Sequence, residues 1–257
     1  MTVSEAKALS ERGDTKAMMA LAEYYMQEEG DAASDMACHY YELAANAGEL
    51  EAILKMAQTF NSMAAAAFSM IEEGNRLDSM DVDIEKAFYW AKKLDESVRS
   101  LNVSDSDTLT FAADNLILAL SRVATLYYLD EKYDDMSRVT EDINHPYAQT
   151  MYGLALFKKS DEDDEVQRAF GLMKNIENDL CWKEEYQTKF GRILLIDAAN
   201  YLSAMYRIIN HDANSAYRVK AYIVSHSISE SVRRDVKASM AKNFRKSLFG
   251  GYTYIGS

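Results

Sequence analysis

Two segments of this chain, 35 residues apart, have closely similar sequences: Gly13-Asp-Thr-Lys-Ala-Met-Met-Ala-Leu-Ala-Glu-Tyr-Tyr25 and Gly48-Glu-Leu-Glu-Ala-Ile-Leu-Lys-Met-Ala-Gln-Thr-Phe60. The positions that the two segments share include, in order, an alanine, an apolar residue, a small residue and an aromatic residue. A repeat of this length is typical of stacked helical hairpins. Such hairpins bury their apolar faces against neighbouring hairpins, so the chain is expected to form an extended surface rather than a globule around one pocket.

The same pattern recurs further along the chain, and we call it the helix signature. Its copies begin at Ala17, Ala52, Ala119, Ala148 and Ala198. The four signature residues are spaced so that they lie on one face of an α-helix. The small residue therefore allows a second helix to approach closely, and the last residue fills the space between hairpins. Second helices are predicted at 35–47, 83–94, 166–176 and 215–224, with a less regular pattern at 133–143.

The composition favours an all-α fold. One proline and ten glycines among 257 residues leave little material for hairpin turns between strands. Good helix formers, namely Ala, Leu, Met, Glu, Lys and Gln, fill most of the chain.

The first repeat carries a motif in both of its predicted helices. The first helix reads Ala17-x3-Leu21-Ala22-x2-Tyr25, and the second reads Asp35-x-Ala37-x2-Tyr40-Tyr41-Glu42-x-Ala44-Ala45-x2-Gly48. This pairing resembles a Sel-one-like repeat of the tetratricopeptide superfamily. The resemblance is dense over residues 13–60, and residues 83–94 match half of a repeat.

The resemblance implies a right-handed α-solenoid of about five antiparallel helical hairpins. The signature alanines are separated by 35, 67, 29 and 50 residues. These unequal intervals predict an irregular solenoid with long helices or inserted turns at 52–74 and 184–209. A capping helix is predicted over 231–248. We therefore expect a helical repeat domain at residues 1–228, followed by a basic capping helix and a Gly/Tyr tail at 229–257.

Charge is distributed unevenly along the chain. Residues 1–215 carry 20 basic and 39 acidic side chains, a balance of −19, whereas residues 216–257 carry eight and two, a balance of +6. The basic end is interpreted either as a contact for nucleic acid or an acidic partner, or as a cap that docks against the acidic body. We favour docking, because an acidic body repels phosphate. The residues concerned are Arg233, Arg234, Lys237, Lys242, Arg245 and Lys246, with Tyr252 and Tyr254.

The sequence contains no motif for catalysis, for a cofactor or for a metal. It has no phosphate loop, dinucleotide fingerprint or nucleophile elbow. Its histidines occur singly, without a second ligand at metal-type spacing, at His39, His145, His211 and His226. We therefore expect that the protein is not an enzyme and has no catalytic residue, no cofactor and no metal.

Two further expectations concern the compartment. Cys38 and Cys181 lie 143 positions apart and favour buried, reduced thiols over a disulfide. The chain does not open with a secretory pattern. No uncharged apolar stretch approaches the roughly 18 residues that a membrane span requires, and the longest candidate is 62–71. We expect a soluble, cytoplasmic protein without a membrane contact.

The resemblance also implies a binding groove, because tetratricopeptide-like proteins line theirs with first-helix positions between the core residues. A mixture of methionine, amide and aromatic side chains there suits an adaptable peptide groove. The groove residues in this sequence are Met19, Glu23, Met26, Leu54, Gln58, Asn61, Ser121, Thr125, Tyr128, Thr150, Leu154 and Phe157. The predicted function is an interaction scaffold for a protein or peptide, with nucleic acid as the less favoured partner. The alternative is an adaptor or effector that acts on nucleic-acid machinery through the basic, aromatic C-terminal end.

Overall fold

The computed structural model describes residues 1–247 and 250–256, without the side chain of Asp78. Leu248, the predicted end of the capping helix, and the tail residues Phe249 and Ser257 lie outside the described residues. The described chain is helical almost throughout and forms two compact units, Met1–Ala119 and Leu120–Ser257. This division differs from the predicted boundary between residues 228 and 229, because the last helix packs against the helix before it within the second unit.

The first unit consists of helices that pack in chain order. They are α1 (Val3–Ser10), α2 (Thr15–Gln27), α3 (Asp31–Asn46), α4 (Leu50–Glu72), α5 (Asp78–Ser100) and the beginning of α6 (Ser106–Leu129), which continues into the second unit. From α1 to α5, each helix packs against the next. The long helix expected at 52–74 is α4, and α5 extends beyond the predicted 83–94 at both ends.

The second unit contains the end of α6 and the remaining helices. They are α7 (Tyr133–Thr140), α8 (Pro146–Lys159), α9 (Asp163–Met173), α10 (Lys189–Ile208), α11 (Ala213–His226) and α12 (Glu230–Asn243). The region 184–209, for which a long helix or an inserted turn is predicted, contains a short 3-10 turn followed by a long helix. The helix begins at Lys189, because the Thr188 side chain accepts a hydrogen bond from the Gly191 amide at 3.1 Å and caps it. Three short 3-10 segments occupy the preceding residues. α8 packs against both α7 and α9, α10 against α11, and α11 against α12.

The all-α prediction is confirmed apart from the C-terminal end, where a short strand replaces the end of the predicted capping helix. α12 ends at Asn243, and β1 (Phe244–Lys246) pairs antiparallel with β2 (Tyr252–Tyr254). Alternate residues of a strand share one face, so Tyr252 and Tyr254 point to the same side. There Tyr252 stacks on Tyr217 of α11, with ring centroids 3.4 Å apart. This aromatic contact stabilises the hairpin, whereas the sequence pattern predicts that the capping helix continues to residue 248.

The signature residues lie in the core. In all five copies the alanine, the apolar residue and the small residue are buried, and only Tyr25 among the last positions is half-buried. Gly153 shows why the small residue matters. A Cβ atom there would lie 2.9 Å from both the Ala169 carbonyl oxygen and the Leu172 Cβ. α8 and α9 are therefore closer together than a larger residue at this position allows.

The copied segments both begin with the same helix-ending turn. Gly13 and Gly48 have φ values of +87° and +93°, in the left-handed region that favours glycine. The amide that follows each glycine donates to a carbonyl five residues earlier, Asp14 to Leu9 at 3.2 Å and Glu49 to Ala44 at 3.0 Å. This is the Schellman arrangement, which satisfies the free carbonyl groups at a helix end.

Among the described helices, only α6 is long and apolar enough to span a membrane by length and composition. This corrects the expectation that 62–71 is the longest candidate for a membrane span. The criterion of an uncharged stretch excluded α6, because the charged residues Asp114 and Arg122 interrupt its apolar sequence. Of its apolar window, 61 % is buried inside the protein. That burial fits the core helix of a soluble protein.

Candidate functional site

The predicted groove residues of the first unit are accessible. Met26 is 63 % exposed, and Glu23 and Gln58 are also exposed. Met19, Leu54 and Asn61 are half-buried. Their spacing along α2 and α4 places the residues of each helix on one face.

Two observations indicate that α2 and α4 contribute to one surface. At their N-terminal ends, the Thr15 hydroxyl donates to Glu49 at 3.4 Å. Further along, Tyr41 of α3 lies near carboxylates of both helices: burial raises the pKa of Tyr41, and Glu23 and Glu51 raise it further. We call this region the α2–α4 surface. It comprises Met19, Glu23, Met26, Tyr41, Glu51, Leu54, Gln58 and Asn61.

Four of the predicted groove residues in the second unit are buried. They are Ser121, Thr125, Thr150 and Leu154. The hydroxyl groups of Thr125 and Thr150 already have partners, because Thr125 donates to the Ser121 carbonyl at 2.6 Å and Thr150 donates to the Pro146 carbonyl at 2.9 Å. The groove assignment is wrong for these four residues. The physical reason for Thr150 and Leu154 is that α7, α9, α10 and two of the 3-10 segments pack against α8 and cover these positions.

Tyr128 and Phe157 remain partly exposed and belong to an aromatic cluster around Lys158. The Lys158 ammonium lies 5.6, 5.9 and 5.2 Å from the ring centroids of Tyr128, Tyr133 and Tyr201. Phe157 packs on Tyr201 with centroids 4.8 Å apart. Rings at these distances stabilise a cation through their electron-rich faces.

The charges of the Lys158 cluster are satisfied within the protein. The Tyr128 hydroxyl donates to Asp197 at 2.5 Å, and burial together with this hydrogen bond raises the pKa of Tyr128. An interaction with the Tyr201 hydroxyl raises the pKa of Lys158. The cluster therefore joins α6, α7, α8 and α10 and already contains its own cation. Sequence reasoning missed it because its members come from four helices at no fixed spacing.

The basic C-terminal segment is attached by apolar rather than ionic contacts. Val236 and Met240 are the buried residues of α12. Among the described residues, the six predicted cations form no ion pair with an acidic residue of another helix. This corrects the interpretation that charge docks the cap on the acidic body. Tyr217 covers one ring face of Tyr252. The guanidinium of Arg207 covers one ring face of Tyr254 and lies 3.9 Å from the centroid of that ring.

Groups that could bind a metal or carry out catalysis are dispersed. In the part of the chain that the structure describes, no group of three or more His, Cys, Asp or Glu residues lies close enough to hold a metal ion. His145 caps α8 by accepting from the Tyr147 amide at 3.2 Å, and His226 stacks on Tyr222 with centroids 3.9 Å apart.

Both cysteines are free thiols. Burial raises the pKa of Cys181 to about 12. Cys38 is only half-buried, which corrects the expectation that both thiols are buried. The physical reason is its place on α3: Ala37 and Tyr40 occupy the buried face, and Cys38 lies at its edge.

Comparison with protein-family models, with curated proteins and with solved structures finds no match to this chain. A function for it must therefore be argued from its own residues.

Proposed function

We propose that this protein is a non-enzymatic interaction module that binds a basic, partly apolar peptide segment on the α2–α4 surface. We further propose that its helix pairs form an irregular right-handed α-solenoid of Sel-one-like repeats and that it acts in the cytoplasm. The burial of every copy of the helix signature supports the repeat assignment. The shared turn at Gly13 and Gly48 supports it further.

The observation that carries the peptide proposal is the charge of the first unit. Residues 1–119 contain 22 acidic and 9 basic side chains, a net −13, whereas residues 120–257 contain 19 of each, a net of zero. All of the net charge of the protein therefore belongs to the unit that holds the α2–α4 surface. Complementary charge accelerates association and excludes partners of the same sign, so the favoured partner is basic.

The α2–α4 surface also offers the apolar contacts that a peptide needs. Met26 of α2 is 63 % exposed, and Met19 of α2 and Leu54 of α4 are half-buried. Methionine side chains are flexible and polarizable, and they adapt to different apolar partners. Glu23 and Glu51 form no ion pair with another described residue. An amphipathic helix with Lys or Arg beside an apolar stripe satisfies both features.

Fluorescence anisotropy with a labelled amphipathic Lys/Leu peptide tests the proposal. The same peptide with Glu in place of Lys serves as the probe of opposite charge. We expect the basic peptide to bind and the acidic one not to bind. The double substitution Glu23→Lys with Glu51→Lys is expected to weaken binding by about tenfold or more, because it places like charges against the peptide.

The matched control is the double substitution Glu73→Lys with Glu96→Lys, which makes the same change in charge at two exposed positions, one directly after α4 and one in α5. We expect it to leave the affinity within about threefold of the wild type, since screening weakens charges distant from the peptide. Equal losses in the two double variants would show general attraction to an acidic unit. That result, or preference for the acidic peptide, would contradict the proposal.

A further inference from the structure

A polar pocket lies within the second unit, remote in sequence from the α2–α4 surface. α10, α11, α12 and the β1–β2 hairpin enclose a cavity of about 120 Å³. Since a cavity of roughly 10–15 Å³ is enough for one water molecule, this one accommodates a small ion with several oxygen atoms. Its charged lining residues are Arg207 of α10 and Lys220 of α11.

Arg207 and Lys220 both line this pocket. Neither Arg207 nor Lys220 forms an ion pair with a described residue. Both side chains are partly buried. Burial lowers the pKa of Lys220, and the nearby charge of Arg207 lowers it further. Removing charges from water is unfavourable unless they are paired, so an anion bound between these two side chains stabilises both.

Hydrogen-bond donors in the pocket remain available. Lys220 donates one of its three hydrogens to the Asn200 side-chain oxygen, which leaves two hydrogens and the Asn200 amide nitrogen. The Ser239 hydroxyl oxygen accepts a hydrogen bond from the Asn243 side-chain nitrogen at 3.2 Å, so the hydroxyl hydrogen of Ser239 is free to donate. These donors and the cations come from α10, α11 and α12.

The hairpin holds Arg207 in place. The guanidinium carbon of Arg207 lies 3.9 Å from the centroid of the Tyr254 ring, a stacked cation–π contact. Stacking covers one face of the guanidinium and leaves its N–H groups free along the edge, the geometry with which arginine binds oxyanions. The hairpin is itself fixed to α11, where the Tyr252 amide donates to the Asn214 side chain at 2.5 Å.

We propose that this pocket binds a phosphate group, held by Arg207 and Lys220 with Asn200 and Ser239 as further donors. Two cations match the charge of a phosphate near neutral pH, which approaches −2. Donors from three helices suit a tetrahedral ion with oxygens on every side, whereas a planar carboxylate uses only two acceptor atoms. The inference does not depend on peptide binding by the α2–α4 surface, which belongs to the other unit.

Isothermal titration calorimetry of the full chain with inorganic phosphate, at an ionic strength held constant with sodium chloride, tests the pocket. We expect saturable binding to the wild-type protein. Arg207→Gln and Lys220→Gln are each expected to weaken it by about tenfold or more, because each removes a charge-assisted hydrogen bond. The control Lys246→Gln removes one positive charge from an exposed position of β1 and is expected to leave binding unchanged.

Further measurements separate a binding role from a structural one. Lys220→Met keeps the length of the side chain and removes its charge, so without phosphate it should unfold at the same or a higher temperature than the wild type. A clearly lower temperature would mean that the charge stabilises the fold, and the proposal would be overturned. Absence of saturable binding, equal loss in Lys246→Gln, or equally tight binding of acetate would also overturn it.

The source of the phosphate group is tested in the same titration with O-phosphoserine. Binding of this ester as well as of inorganic phosphate indicates that the pocket accepts phosphorylated molecules, and binding of inorganic phosphate alone indicates the free ion. Both results support a phosphate site. If only a single-stranded oligonucleotide binds, and Lys246→Gln weakens that binding as much as Lys220→Gln, the surface of the hairpin binds nucleic acid and the pocket assignment is overturned.

Discussion

Ser203 of α10 donates a hydrogen bond from its hydroxyl to the backbone carbonyl of Ala216 in α11, at 3.0 Å, and both residues are buried. Ser203 occupies the small-residue position of the helix signature that begins at Ala198. Gly153 occupies the same position in α8 and faces the Ala169 carbonyl of α9. In both hairpins the small residue therefore lies against the backbone of the second helix, which explains why this position excludes large side chains.

Gly153→Ala is expected to lower the free energy of unfolding by about 1–3 kcal/mol, because the new methyl group overlaps the backbone of α9. The matched control is Gly171→Ala. A Cβ atom at Gly171 meets nothing within 4 Å, and alanine is the better helix former by about 1 kcal/mol, so this variant should be as stable as the wild type or more so. Urea denaturation followed by circular dichroism measures both. Equal stability of the two variants would contradict the close approach of α8 and α9.

Gly48→Ala is expected to destabilise the protein by roughly 1–2 kcal/mol, because its φ of +93° disfavours every residue with a Cβ. Nothing lies within 4 Å of the added atom, so backbone conformation alone accounts for the effect. Gly48→Asn should lower the stability of the protein less than Gly48→Ala does, since asparagine tolerates the left-handed region better than alanine. Thermal unfolding ranks the three proteins. A Gly48→Ala variant as stable as the wild type would show that α3 does not need this turn.

Tyr147→Phe is expected to leave the free energy of unfolding unchanged or to raise it by up to about 1 kcal/mol. The Tyr147 hydroxyl is buried and has no hydrogen-bond partner among the described residues. Removing such a group avoids its desolvation penalty without the loss of a bond. Chemical denaturation measures the difference. A clear loss of stability would mean that the hydroxyl has a partner in solution.

Tyr152→Phe should behave differently, because the Tyr152 hydroxyl donates to Glu141 at 2.6 Å. This hydrogen bond is the main cause that lowers the pKa of Glu141 from its ordinary value of 4.5. A lowered carboxylate pKa stabilises the folded state above the unfolded-state pKa, and that stability is lost as the pH falls through the folded-state pKa. The destabilisation by Tyr152→Phe is therefore expected at pH 7 and should disappear in acid. Denaturation at several pH values tests it, and a loss that does not depend on pH would contradict the role of Glu141.

The two thiols are expected to differ in reactivity. With a pKa of about 12 for Cys181, only about one molecule in 10⁴ carries the thiolate at pH 8. Iodoacetamide should therefore modify Cys38 first and reach Cys181 only when the chain unfolds. Mass spectrometry of Cys38→Ser, alkylated with and without urea, measures the Cys181 reaction alone. Equally fast labelling in both conditions would show that Cys181 is accessible in the folded protein.

The sequence predicted features that depend on neighbouring residues along the chain. The helix signature located residues that face the core, because a helix of fixed period turns spacing into a shared face. Gly13 and Gly48 are matching positions of the two copied segments, and both lie at helix ends because the left-handed conformation of a glycine is a local property. The extent of α5 and the late start of α10 at Lys189 were predicted less well, because capping and packing decide where a helix begins.

The candidate sites depended on contacts that spacing does not encode. The same rule assigned both Met26 and Leu154 to the groove, but Met26 is exposed and Leu154 is buried, because α7, α9 and α10 all pack against α8. Lys220 and Arg207 gave no signal in the sequence, since they come from two helices.

The sequence by itself determined that this protein consists of helical hairpins and that residues 1–215 are acidic whereas residues 216–257 are basic. Local spacing and composition are sufficient for those two properties. Only the tertiary structure decided which groove residues remain exposed, that the chain after Asn243 forms strands, and that Lys220 and Arg207 share one pocket. Those properties depend on which helices cover one another, and burial and electrostatic interaction act through space rather than along the chain.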